Sequence, residues 1–354
     1  MPAVAAGLRV FFASNLRDNA PLMPHYITQM LFTVTSLRAG SAFVSIYESG
    51  SRDGTGAWLN LFEALLRILE VPHHIETGGI ERPVGMDRIY HLAHMRNLAT
   101  TKMRQGLKGE LPQWHADRLV FINDVYFCAR DAVRLLQHVS ADLACSMDFL
   151  QWKDPPSTVD VYPYGVDGPP LSVVTDPTQL QFYDVWVARD VEGKPLSNTQ
   201  PYVQHGYSLG RLRQGLPFPV SCCWNGMLSI NAEPFRLGYE FRPGREGECR
   251  ESETSVMCKD FLRMGYSNFI VDPGVRLAYQ PADARLLYTS KLDVPVTPWA
   301  EVAAAPAIDP DFAPRKFHMT CCNMADDGSD HVDFFKCRSL PEVFSRTPSA
   351  ALAA

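Results

Sequence analysis

Arg118-Leu119-Val120-Phe121-Ile122-Asn123-Asp124 joins four consecutive apolar residues to an amide and a carboxylate. A short apolar run rich in β-branched and aromatic residues reads as a strand buried on both faces, as in a parallel sheet. The polar pair then falls at the strand's carboxyl end, the edge beyond which open α/β sheets bind their ligands. Two readings of Asp124 stand side by side. Its carboxylate can hold Mg²⁺ or Mn²⁺ against a diphosphate, because hard oxygen ligands suit those ions. Equally, an Asn or Asp between a strand and a helix can serve only as a cap on backbone amides.

Outward from this segment, strands alternate with helical patterns. Leu8 to Ala13 reads as a strand, followed by a helix from about Tyr26 that Gly40 stops. Ala42 to Tyr47 is a second strand. Trp58, Leu61, Phe62, Leu65, Leu66 and Leu69 recur at helical spacing behind the cap-like Asp53-Gly54-Thr55, and His73 to Glu76 is a third strand. A helix is expected from about Ile89 to Gln105, another over Arg130 to His138, and a strand over Leu143 to Met147. The pattern predicts an α/β fold with a largely parallel, Rossmann-type sheet flanked by helices. Paired prolines between Asp154 and Pro177 suggest a loop-rich, substrate-facing insertion. An irregular stretch is expected from Pro306, and a disordered tail over 349–354.

The chain has 354 residues, 46% of them hydrophobic and 20% charged, ample for a large core. A net charge of -6 and a pI near 5.9 argue against a nucleic-acid protein, which needs a basic face. Nine cysteines are an odd number in a chain too long to need staples. Most therefore read as small buried apolar residues, with some pairing left open at Cys222-Cys223 and Cys321-Cys322. No stretch approaches the roughly twenty apolar residues of a membrane span, so no span is expected in this chain.

Other residues could carry chemistry. The turn SIYESGSRDGT (45–55) offers Ser45, Glu48, Ser49, Ser51 and Asp53 as donors and acceptors for a nucleotide, or else forms an ordinary capped βα loop. Arg88, Arg96 and Asn97 share one helix and could meet a phosphate or sugar hydroxyls, or simply form a solvated face. Asp148, and Asp184 within Phe182-Tyr183-Asp184-Val185-Trp186, combine carboxylates with aromatic rings, the chemistry of a carbohydrate site. Trp224-Asn225-Gly226 precedes a strand and permits close backbone approach. Glu253 opens a helix over Ser255 to Met264, where an acid also complements the helix dipole.

Six ordered segments, taken together, resemble the fungal capsule-associated glycosyltransferase family: VSIYESGSRD (44–53), RIYHLAHMRN (88–97), FINDVYFC (121–128), FYDVWVARD (182–190), SCCWNGM (221–227) and SETSVMCKD (252–260). The resemblance implies a GT-A-like fold over 1–320, with a donor-binding half at about 1–150, an acceptor half at about 178–280, and an irregular 321–354. It implies a GDP-mannose donor, a glycan acceptor, a divalent cation (Mn²⁺ or Mg²⁺), and transfer with retention. Asn123-Asp124 stands where the family type places a D-x-D motif, with Ile122 in place of the first acid.

By the same resemblance Asp124 ligates the metal with a distant histidine, for which His318 is chosen over His205 and His331. Asn123 borders the donor, while Glu253 and Asp148 are the catalytic candidates. Members of the family carry a Golgi anchor, so a Golgi lumen is expected if one was removed, and otherwise a soluble chain. Two rivals remain: a glycan-binding protein on a decayed transferase fold, and a glycoside hydrolase that pairs Asp148 with Glu253.

Overall fold

The computed structural model describes residues 7–107, 115–151, 159–161, 171–173, 180–246, 248–289, 292, 294–312, 317–321 and 338–342. In chain order its first half comprises β1 (Val10–Leu16), α1 (Met23–Ser36), β2 (Ala42–Glu48), α2 (Thr55–Ile68), β3 (His73–Glu76), α3 (Arg88–Ala99), α4 (Thr101–Leu107), β4 (Arg118–Ile122), α5 (Ala129–Leu136) and β5 (Leu143–Gln151). Then follow β6 (Val159–Val161), β7 (Leu171–Val173), β8 (Leu180–Phe182), α6 (Gly206–Arg213), β9 (Phe218–Pro219), β10 (Met227–Asn231), α7 (Glu233–Arg236), α8 (Glu253–Arg263) and β11 (Phe269–Ala278). Helices α9 (Pro281–Thr289) and α10 (Trp299–Ala304), a 3-10 turn (Pro310–Phe312), β12 (Phe317–Cys321) and β13 (Arg338–Glu342) complete the order.

One nine-stranded sheet runs β3-β2-β1-β4-β10-β5-β11-β9, with β8 also paired to β5. Strands β3, β2, β1 and β4 are mutually parallel, β10 is antiparallel to both β4 and β5, and β11 is parallel to β5. This is a mixed, mostly parallel α/β sheet flanked by helices. Its strands alternate sides with period two. Phe11, Leu119 and Phe121 enter a core shared with Met95, Met257 and Phe261 of α3 and α8. Phe12, Val120 and Ile122 enter a second core with Met30, Phe62 and Leu135 of α1, α2 and α5. Continuous apolar runs such as Leu119 to Ile122 are the consequence of helices on both faces.

Several expectations need correction. The first strand extends to Leu16, because Ser14, although polar, is buried and its hydroxyl meets that of Tyr26 at 2.5 Å. The helix expected to Gln105 is broken after Ala99, where the Thr100 hydroxyl donates to the Arg96 carbonyl. Beyond Pro306 the chain is not wholly irregular, since β12 and β13 pair antiparallel. Strands β6 and β7, also antiparallel, lie within the expected loop of 154–177, whose remaining residues fall outside those described, as do 349–354.

The cysteines are corrected most. Cys145 is bonded to Cys223 and Cys222 to Cys258, and Cys249 is also disulfide-bonded. The adjacent pair Cys222-Cys223 thus ties the entry to β10 both to β5 and to α8. Cys128 keeps a free thiol.

Candidate active site at the carboxyl edge of the sheet

Asp124 lies just past β4, solvent-accessible but crowded by protein on most sides, and that crowding pushes its carboxyl upward. Asn19, beyond the end of β1, donates its amide to Asp124 Oδ2 at 3.3 Å. Asp124 does not cap α5: the amide of Cys128 donates to Asp131 Oδ2 at 2.9 Å instead. Its neighbour Asn123 is anchored twice. The Asn123 amide donates to the Gly226 carbonyl at 2.8 Å, and Trp224 Nε1 donates to Asn123 Oδ1 at 3.1 Å.

The turn into β10 crosses beside this point. Asn225 and Gly226 have φ of 53° and 78°, in the left-handed region. Asn225 tolerates this because its side chain is held, Nδ2 donating to the Ser146 carbonyl at 2.9 Å. Gly226 is needed for space as well: a Cβ there would meet Val125 Cγ1 at 3.1 Å, Leu277 Cδ1 at 3.3 Å and Asp148 Cβ at 3.4 Å. The backbone of Gly226 therefore fills the gap between the ends of β4, β5 and β11.

Asp148, on β5, is fully buried. Its Oδ2 accepts from the Tyr279 hydroxyl at 2.8 Å and its Oδ1 from the Asp184 amide at 3.2 Å. Burial first, and then the neighbouring Asp184 carboxylate, push Asp148 up to about 8, while Asp184 is raised chiefly by burial. Asp184 Oδ2 accepts from the Asn225 amide at 3.0 Å, so the carboxylate pair and the β10 turn form one network. Tyr183 is exposed, with its ring 4.8 Å from that of Tyr279. After burial, the fields of Asp148, Asp184 and Asp124 all help raise Tyr279, which places the three carboxylates in one neighbourhood.

Arg96, on α3, closes the cluster. Its guanidinium carbon sits 4.1 Å from the Trp224 ring and 5.0 Å from that of Phe121, and its Nε donates to Glu253 Oε1 at 2.7 Å. Glu253 is fully buried at the start of α8, where Ser252 caps the helix, so its carboxylate is committed to this ion pair. Arg96 also acts electrostatically on Asp124 and Asp184. Asn97 does not join them: its side chain exchanges two hydrogen bonds with the Phe241 backbone. Arg88 lies 5.7 Å over Trp186.

Residues of the 45–55 turn are occupied within the protein. Ser45 is the exception, buried inside β2 with its hydroxyl unpartnered among the described residues. Glu48 accepts from the amides of Ser51 and Gly78, drawing the loop after β3 onto the end of β2. Ser49 donates to Met95 Sδ at 3.4 Å, and Ser51 Oγ accepts from the Asp18 amide. Asp53 accepts from the Ala20 and Thr55 amides and the Thr55 hydroxyl, fixing the loops after β1 and β2 to one another. With these side chains the turn ties the loops after β1, β2 and β3 together.

Of the histidines, His205 begins α6 with its ring 5.7 Å from Phe312, beside β9 at the sheet edge. His318 falls on β12, outside the central sheet and outside the described side chains, and His331 is outside the described residues. Among the described residues no three His, Cys, Asp or Glu side chains converge on a common metal position. Sequence reasoning overlooked Asn19 and Tyr279. Both follow the carboxyl ends of strands, the same signal that singled out Asp124.

The mixed α/β sheet thus gathers carboxylates, an arginine and an exposed tyrosine at its carboxyl edge. The chain belongs to the family described as cryptococcal mannosyltransferase 1, which matches residues 9–260. It is 27% identical over 301 residues to the alpha-1,3-mannosyltransferase CMT1 of Cryptococcus neoformans, covering 77% of this chain. The chain spans 58% of that relative's length. Among solved structures it is similar to the mannosyltransferase PcManGT from Pyrobaculum calidifontis, in complex with GDP-Man and Mn²⁺ (10% identity, TM-score 0.43, 89% of this chain and 69% of that one). It is also similar to GalNAc-T7 with UDP, GalNAc and Mn²⁺ (9% identity, TM-score 0.41, 77% and 43%). No helix among the described residues is long and apolar enough to cross a membrane.

Proposed function

We propose that this chain transfers mannose from GDP-mannose to a hydroxyl of a glycan acceptor, forming an α-1,3 linkage with retention. The observation that carries this is the gathering of Asp124, Asp148, Asp184 and Arg96 around the Trp224 to Gly226 turn, within a chain of the mannosyltransferase family. The nucleotide lies over the loops that follow β1 and β2. Arg96, with Nε held by Glu253, turns its remaining guanidinium donors to the departing diphosphate. Asp184 borders the transferred sugar, accepting its hydroxyls, with the buried Asp148 behind it as a positioning residue rather than the catalytic group expected from the sequence, and Trp224 supports Arg96 from below. Glu253 acts through Arg96 as a positioning residue.

A divalent cation, Mn²⁺ or Mg²⁺, belongs with Asp124. The site fits an ion that takes one accessible carboxylate from the protein and completes its shell with diphosphate oxygens and water, a common habit of such hard cations. When bound, it would neutralise charge on the leaving group. The disulfides support an oxidising compartment, for which we propose the Golgi lumen.

A panel of GDP- and UDP-sugars, each with Mn²⁺, Mg²⁺ or chelator, tests the donor and the metal through the free nucleotide released. Release confined to GDP-mannose with metal is expected. No turnover and no thermal stabilisation by any donor would remove the proposal and leave a glycan-binding protein on the same fold.

A further inference from the structure

Away from the carboxylate cluster, a cavity of about 640 Å³ lies between α5, the irregular middle of β11, α9 and the segment leading into α10. One wall is rigid. Arg134 forms a two-point ion pair with Asp272 at 2.7 and 2.9 Å and donates to the Thr297 carbonyl, so its charge is answered and its position fixed. Gly274 makes room for it, since a Cβ there would lie 2.4 Å from the guanidinium.

The other cations of the cavity are not answered in this way. Arg276 is half-buried and forms no ion pair among the described residues; its Nε donates to the Pro273 carbonyl and its Nη2 to that of Val294, and Nη1 has no acceptor among the described residues. Arg130 is 70% exposed, touches Asp131 only at 3.8 Å, and lies over the Tyr288 ring. Gln137 also lines the cavity, and its Oε1 is buried with no donor among the described residues. Trp299 adds an aromatic surface whose edge is braced by His138, 4.9 Å between centroids.

A half-buried guanidinium with a spare donor calls for an anion. An orphaned buried carbonyl calls for a hydroxyl or amide donor, and an indole face suits the apolar side of a sugar ring. We infer that this cavity is a second binding site, for an anionic saccharide: the acid group on Arg276 and Arg130, a hydroxyl on Gln137 Oε1, and the ring on Trp299. A uronic acid and a sugar phosphate share this chemistry. The site does not depend on the proposed transfer reaction, although the hydrogen bond between Cys128 Sγ and the Tyr288 hydroxyl (2.9 Å) places its rim four residues from Asp124.

Isothermal titration of the full chain, kept saturated with GDP to occupy the donor cleft, tests the inference. The probes are a uronic acid, a hexose 6-phosphate, the neutral hexose and inorganic phosphate. One or both anionic sugars should bind at least ~10-fold more tightly than the neutral sugar or phosphate, with salt-dependent affinity. Arg130→Gln, at an exposed position that should not disturb folding, and Trp299→Ala should each weaken that binding several-fold at unchanged GDP affinity. Whichever acid binds identifies the source. Binding of inorganic phosphate as tight as that of either sugar, no binding of either anionic sugar, or binding unchanged by both substitutions would overturn the inference. Because binding is read without turnover, a failed transfer assay and a failed titration remain distinguishable.

Discussion

Arg96 and Trp224 are stacked, the guanidinium carbon 4.1 Å from the indole centroid, although they lie on α3 and on the turn before β10. The stack orients a cation that Glu253 holds by Nε at 2.7 Å. Lysine cannot reproduce a planar, two-sided group. Arg96→Lys should therefore lower kcat/KM by about 30- to 150-fold, the loss of roughly 2–3 kcal/mol for a charge-assisted contact. Glu253→Gln, which keeps an acceptor for Nε, should lower it less. Steady-state kinetics on the two variants check the order, and equal losses would make Glu253 more than a positioning residue.

Gly226→Ala should be destabilising. The backbone is at φ 78° and the new methyl would press on Val125, Leu277 and Asp148. About 1–3 kcal/mol is expected from strain of this kind, read as a fall in the urea midpoint. A variant as stable as the parent would show that the three strand ends can part.

Stability should depend on pH through Asp148. Its folded-state pKa, pushed up to about 8, exceeds the ordinary aspartate value of about 4. Between those values the folded chain keeps a proton that the unfolded chain releases, so stability falls as pH rises through the window and levels off above it. Asp148→Asn removes this contribution. Thermal melts from about pH 4 to about pH 8 should show a shallower fall for the variant, and parallel curves would mean that Asp148 ionises normally.

Reduction should loosen the site before it unfolds the sheet. Cys145–Cys223 and Cys222–Cys258 close separations of 78 and 36 residues and both end on the segment before Trp224. Removing either should cost about 2–5 kcal/mol. Cys222→Ala with Cys258→Ala, compared by melting with and without reductant, should show the reductant effect diminished. An unchanged reductant effect would assign the stabilisation to the other bridges.

The sheet was legible because its chemistry is local. Leu119 to Ile122 must be buried on both faces, and that alone marks β4, its carboxyl end and Asp124. The ion pair between Arg96 and Glu253 joins residues 157 apart, and no spacing encodes it. Cysteine pairing was illegible for a related reason: only the register of β10 beside β5, with α8 above, sends Cys222 and Cys223 to different partners. The 45–55 turn is hard to read for a different reason. Its Glu48, Ser51 and Asp53 have the composition of a ligand loop but satisfy neighbouring backbone amides. Side chains that build a wall and side chains that line it are the same residue types.

The measurement that bears most directly on the proposed function is mannose transfer from GDP-mannose by wild type and Asp124→Ala over a Mn²⁺ titration, with product detected by mass. The wild type should form a metal-dependent mannosylated product. The variant, folded by its melting curve, should lose about 100-fold or more in kcat at any metal concentration, as expected when an electrostatic anchor for a leaving group is removed. Wild-type protein that transfers no mannose, or an Asp124→Ala variant with undiminished metal-dependent transfer, would contradict it.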